Sequence, residues 1–206
     1  MQAAEVAALF TARDGTFRFA RWGRPIVPVV FGVADATLPL IKGAIEAVVA
    51  LAGHKMAETD PELGANAMFF FFRDWAELPL VPNLDRMVPD LGPLCARLAG
   101  AGANQYRLFR FDASGSIKAV FVFLRMDAAL SDMAAEDLAL VQAAEIMCLW
   151  SDSAFGARGP LARLGDHVVL RPDIAGVIRA AYDPVLPAVA VDPAHALRIS
   201  ARMPAL

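Results

Sequence analysis

This chain has few of the residues that usually carry readable chemistry. Its three histidines, His54, His167 and His195, stand at no zinc-ligand spacing from one another, from a cysteine or from a carboxylate, as His-Glu-x-x-His on a helix would require. No metal is therefore expected. The two cysteines, Cys95 and Cys148, fall far apart on separate predicted helices. Free cysteine behaves as a small buried hydrophobe, so two buried thiols are expected rather than a disulfide. The glycine patterns that cradle phosphates, Gly-x-Gly-x-x-Gly and Gly-x-x-x-x-Gly-Lys followed by Ser or Thr, are missing, and no nucleotide cofactor is expected. The nearest approach to an activated serine, Asp112-Ala-Ser-Gly-Ser116, reads as a hairpin turn instead of a strained strand-to-helix elbow.

Charge is also scarce. Asp, Glu, Lys and Arg make up 20% of the chain and the net charge is −3, which gives no general attraction to nucleic acid or to an anionic membrane surface. No apolar run approaches the about 20 unbroken residues of a membrane span. The run from Ile26 is interrupted by Pro28, Gly32 and Asp35, and the next by Lys42, Gly43 and Glu46. The N-terminal stretch has no basic region and carries Glu5 inside its apolar part, so no secretion signal is read and the cytoplasm is the expected location.

What the chain does have is apolar bulk. Hydrophobic residues are 57% of 206, which excludes disorder and suffices for one densely packed domain over 1–206. Periodicity predicts an N-terminal helix within 1–14, ending before the Asp14-Gly15 turn. Phe17–Phe19 and Ile26–Phe31 read as strands, with Pro28 arguing for an edge or a bulge. Asp35 or Thr37 caps a backing helix over about 38–52, and Ala67–Phe72, apolar on both faces, is an interior strand. After a proline-rich connection with a helical turn past Asn83 comes a helix over about 91–99. Gln105–Phe111 and Ile117–Leu124, joined by Asp112-Ala-Ser-Gly-Ser116, form an antiparallel hairpin. The sheet with its backing helices thus spans 17–124, and helices follow over 172–203, opened by Pro172 and by Asp192-Pro193. The class is α+β or mixed α/β.

Met133–Trp150 is the stretch around which this plan is organised. It reads as one long central helix, capped by Ser131 or Asp132, with Glu136 and Asp137 favoured in its first turn by the helix dipole. Beyond those acids only Gln142 and Glu145 break its apolar character, and at a spacing of three they share a face with Leu138 and Leu149. A buried carboxylate without a cation would have a raised pKa, suited to acid or base work. The alternative is that Glu145 bonds backbone, or an arginine of the hairpin such as Arg107, Arg110 or Arg125. Asp152, between Ser151 and Ser153 just past this helix, either lines a pocket or serves the turn. Arg13, Arg18, Arg21 and Arg24 around Trp22 read as a solvated rim, with an anionic partner as the other reading.

The element order is similar to the zincin-like arrangement of metalloproteases: strand, backing helix, strands ending in a hairpin, then an active-site helix crossing under the sheet. More particularly, Trp22-Gly-Arg-Pro-Ile-Val-Pro-Val-Val-Phe-Gly32, Cys148-Leu-Trp-Ser-Asp-Ser-Ala-Phe155 and Ala180-Ala-Tyr-Asp-Pro184 resemble an uncharacterised, mostly alphaproteobacterial family of unknown function with a degenerate zincin-like fold. The resembling region spans about Arg21–Pro184. Members of that family are largely exported, whereas this N-terminus shows no signal. The resemblance places the metal-binding pentapeptide on Val141-Gln142-Ala143-Ala144-Glu145, with both histidine positions lost and the catalytic glutamate replaced by Gln142. It implies the scaffold without its metal chemistry. The expected function is a non-catalytic zincin-like domain that binds a protein partner or a small ligand in a cleft beside Gln142, Glu145 and Asp152. The alternatives are a metal-independent hydrolase using Glu145 and Asp152, and a structural homodimer subunit.

Overall fold

The structure is a computed structural model that describes residues 1–204, the side chain of residue 157 aside. The elements in chain order begin with α1 (Ala3–Ala8), β1 (Phe19–Ala20), β2 (Pro28–Phe31), α2 (Leu38–Leu51), β3 (Ala67–Phe72), α3 (Leu84–Met87) and α4 (Leu91–Gly100). They continue with β4 (Gln105–Phe111), β5 (Ile117–Arg125), α5 (Ala128–Ser131), α6 (Ala135–Glu145), β6 (Leu161–Leu164), β7 (His167–Leu170), α7 (Pro172–Ala181), β8 (Val189–Ala190) and α8 (Ala194–Ser200). The chain is α+β with a mixed sheet, as its patterning predicts.

The main sheet has the order β2-β3-β5-β4. β2, β3 and β5 are parallel, and β4 closes one edge antiparallel to β5, with Arg107 opposite Val122. The all-apolar Ala67–Phe72 is an interior strand because it must be covered twice. Ala67 and Phe69 join the core shared with α2, α6 and α7, while Met68, Phe70 and Phe72 meet Trp75, Leu78, Leu84, Leu91, Cys95 and Leu98 on the other face. Pro28 sits at the start of β2, which is an edge strand, where a missing N–H costs no ladder bond. Just beyond β2, Gly32 has φ +83°, and a Cβ there would stand 2.0 Å from the Phe71 carbonyl oxygen, so only glycine lets these strand ends converge.

Several boundaries differ from the expectations. The N-terminal helix stops at Ala8, because Thr11 turns to pair with Phe17 across the Asp14-Gly15 turn. The Phe17–Phe19 segment does not join the main sheet; β1 pairs with β8 in a separate ribbon, so the main sheet begins at Pro28. Ahead of Pro172, where no strand pair is expected, β6 and β7 form a hairpin, and the range 172–203 is not helical throughout, since β8 separates α7 from α8. Neither Asp35 nor Thr37 caps α2 by a side-chain bond; a 3-10 turn over Asp35–Thr37 leads into it. Cys95 and Cys148 are free and buried, as expected.

The largest correction concerns the central helix. It runs over Ala135–Glu145, not Met133–Trp150, and Ser131 and Asp132 end the short α5 instead of capping it. The apolar sequence continues past Glu145, but the backbone leaves the helix because other partners compete for it. Trp22 Nε1 donates to the Ile146 carbonyl at 2.7 Å, the Tyr182 hydroxyl to the Met147 carbonyl at 2.7 Å, and Trp150 Nε1 to the Ala144 carbonyl at 3.1 Å. Cys148 then bridges Arg21, and the Leu149 N–H donates to the Ala20 carbonyl at 2.9 Å. Trp22 is fully buried, so it is a core residue, not the centre of an exposed basic patch.

Trp22→Phe keeps most of the ring but strands the buried Ile146 carbonyl, and a loss of about 1–3 kcal/mol in unfolding free energy is expected by urea titration. An unchanged midpoint would mean that this bond does not hold the helix end. A second expectation concerns pH. His195 is 2% exposed against Phe19, and its ring nitrogens have no hydrogen-bond partner among the described residues. Burial, with smaller contributions from Arg198, Arg21 and Arg202, lowers its pKa. Burial also lowers that of His54, whose Nε2 meets the Arg24 carbonyl at 2.9 Å. Both imidazoles therefore bind fewer protons folded than unfolded once the pH is below the ordinary value of 6.5. Stability is expected to hold above that value and to fall as the pH drops below it. His195→Leu should flatten that fall in thermal melts, and an equal slope in both proteins would refute the assignment.

Candidate functional site

Alternation along β4 sends Gln105, Arg107 and Phe109 to the side of the sheet where α6 lies, while Tyr106 and Leu108 pack on the opposite core. α6 presents Gln142 and Glu145 one turn apart at its C-terminal end. The two elements meet in a polar network. Arg107 pairs with Glu145, and Arg107 Nη2 donates to Gln142 Oε1 at 2.6 Å and to Gln105 Oε1 at 3.1 Å. Gln142 Nε2 donates to the same Gln105 oxygen at 3.0 Å. Glutamine suits this junction because its amide both accepts from the cation and donates onward.

Burial pulls the Arg107 guanidinium down from its ordinary value of 12.5 to about 10, which leaves it charged at neutral pH. A buried cation needs a counter-charge, and Glu145 supplies it. Of the arginines named as partners for Glu145, the structure thus selects Arg107. Arg125 pairs with Asp127 instead, and Arg110 donates to the Met87 carbonyl.

In front of this network lies a cavity of about 470 Å³. Its walls are the near end of β4, Glu145, and the segment that leaves α6, which contributes Leu149, Trp150, Ser151, Asp152, Phe155 and Gly156. Glu145 and Asp152 therefore face one space. Gln142 does not line it; at 1% exposure it forms the support behind the wall, which corrects its expected place in the cleft. Leu149 lies beyond the helix, so it reaches the cavity from the departing segment and not from a stripe along α6. Trp150 is fixed from behind by stacking on Phe10, with centroids 5.1 Å apart and rings within 13° of parallel. Its other neighbour is Phe155, 5.2 Å away and tilted by 59°.

Gln105, Phe109, Trp150 and Phe155 escaped the sequence reading. The first had a signal: a glutamine two positions before an arginine shares a strand face with it, and that face looks inward. The two last had none, because a helix continued through Trp150 would have pointed them elsewhere. Three of the four arginines near the N-terminus have partners. Arg24 meets Glu62 at 2.9 Å and Asp60 at 3.3 Å, Arg18 lies over the Phe111 ring, and Arg21 over Tyr182.

No protein-family model, curated protein or solved structure matches this chain. Among the described residues no helix is long and apolar enough to cross a membrane, and no three His, Cys, Asp or Glu side chains converge as metal ligands.

Arg107→Ala and Glu145→Ala should each cost about 2–3 kcal/mol, because each strands the opposite charge in a largely buried setting. Replacing both by methionine should cost less than either single change. Chemical denaturation of the singles and the double checks this, and additive losses would show that the pair is not coupled.

Proposed function

We propose that this chain is a non-catalytic binding domain on a zincin-like scaffold, and that the cavity beside Glu145 and Asp152 receives a small ligand. The observation that carries the reading is the cavity itself, backed by the Arg107–Glu145 pair and by the bonds from Arg107 to Gln105 and Gln142. A concave space of this size suits a small molecule better than a protein partner, whose interfaces are broader. The scaffold half of the reading is supported by topology. Parallel strands with one antiparallel edge, a helix α2 between the first two, and a later helix packed on α2 beneath the sheet follow the order that the resemblance implies.

Zinc does not fit the positions where that resemblance would put it. Val141 offers no ligand atom, Gln142 is bonded to Arg107 and Gln105, and Glu145 is paired with Arg107. The hydrolase alternative draws little support from the same geometry. It would need Glu145 free to act on a substrate, and that carboxylate is paired with Arg107.

Amide spectra of labelled protein, recorded while a library of small polar and aromatic compounds is added, test the reading. Hits are expected to move resonances within 105–109 and 145–156. Hits that map elsewhere, or a library that moves nothing, would remove the ligand-binding assignment.

A further inference from the structure

The charge balance and the walls of this cavity select among ligands. Its lining holds one cation, Arg107, and two carboxylates, Glu145 and Asp152, for a net charge of −1. Arg107 enters this balance as one half of an ion pair. Its charge is met by Glu145, and its Nη2 is shared between Gln105 and Gln142. Asp152 is exposed and belongs to none of the ion pairs among the described residues. Arg158 follows on the same segment but does not line the cavity. An anion entering here would meet uncompensated carboxylate charge.

The apolar part of the wall points the same way. Phe109, Trp150 and Phe155 are among the aromatic residues of the lining, and Leu149 adds an aliphatic one. One face of Trp150 is covered by Phe10, which holds the indole still without filling the cavity. Aromatic faces carry negative quadrupole charge, and with a nearby carboxylate they favour an ammonium group over a neutral one. A hard metal ion is the wrong cation for such a wall, since it wants several oxygen ligands and only two carboxylates face the space.

We propose that the cavity binds an organic amine in its protonated form, the ammonium lying between Asp152 and the aromatic rings and an apolar body filling the volume beside Leu149 and Phe109. The proposal rests on reading the cavity as a ligand site and adds the class of ligand. Its geometry assigns three roles. Asp152 supplies the charge, Trp150 and Phe155 the aromatic faces, and the Arg107–Glu145 pair a charge-balanced floor.

Calorimetric titration with three compounds of one shape tests it: phenethylamine, 2-phenylethanol and phenylacetate, at neutral pH and low salt. Phenethylamine should bind most tightly and phenylacetate not measurably. Asp152→Asn lies at an exposed position and should weaken the amine about three- to fivefold, the range of one solvent-facing ion pair, while leaving 2-phenylethanol unaffected. Phe155→Leu keeps the apolar bulk but removes an aromatic face, and should weaken the amine by about threefold. Phenylacetate binding as well as the amine, or an amine affinity that neither substitution changes, would overturn the ligand class. If 2-phenylethanol or phenylacetate binds and perturbs residues 145–156 while the amine does not, the ligand class falls and the cavity survives as a binding site. If none of the three binds up to its solubility limit, both are overturned.

Discussion

Three aromatic donors at the end of α6 hold the rest of this structure in place. A helix leaves its last carbonyls without internal partners, and in a protein interior each must find one or cost about 1–3 kcal/mol. Here Trp150, Trp22 and Tyr182 reach the carbonyls of Ala144, Ile146 and Met147. They come from three separate parts of the chain: the segment after α6, the N-terminal segment after β1, and the residue that follows α7. One helix terminus thereby ties the two ends of the molecule to its sheet. The Trp22 N–H also donates to the Tyr182 hydroxyl, at 3.4 Å, so two of the three donors are themselves connected.

This junction also fixes the direction in which the chain leaves α6. Once Leu149 N–H is bonded to Ala20 and Ser151 N–H to Leu9, the segment runs back along the N-terminal residues and not onward as helix. That course brings Trp150, Asp152 and Phe155 round to face β4. The cavity exists because the helix stops where it does. Had the helix continued through Trp150, these side chains would follow the helical period and Glu145 would lie in mid-helix, with no departing segment to wall the space in front of it.

Much of the fold was legible in the sequence because its signals are local. Ala67–Phe72 is apolar at every position, the hairpin carries its own turn, and Pro172 opens its helix, so these elements fall where pattern puts them. The misplaced boundary at Glu145 has a different origin. Ile146-Met-Cys-Leu-Trp150 is as apolar as the helix before it, and nothing within those five residues says stop. The stop signal is the indole of Trp22 and the phenol of Tyr182, far away in sequence. The short ribbon of β1 and β8 was illegible for the same reason, since its two strands lie at opposite ends of the chain. Of the site, Glu145, Gln142 and Asp152 could be found as polar residues in or beside an apolar run, and Arg107 was among three arginines that could reach Glu145. Only the tertiary structure distinguishes them.

The polar network adds a constraint on what the site can do. A metal ion with an open coordination position can accept a water or a substrate oxygen and change its partners during a reaction. The Arg107 guanidinium is also a cation held between helix and edge strand, but its Nη2 donors are spent on two glutamines and its charge on Glu145. It can set the shape and polarity of the wall; it has no vacant valence to offer a reacting atom. On the zincin-like reading proposed above, the side chains of the lost pentapeptide have become a rigid support around a built-in cation. Such a support favours selective holding over turnover, because a pre-paired floor changes little when a ligand arrives. Discrimination then falls to the groups still free at the front, the carboxylate of Asp152 and the aromatic rings beside it.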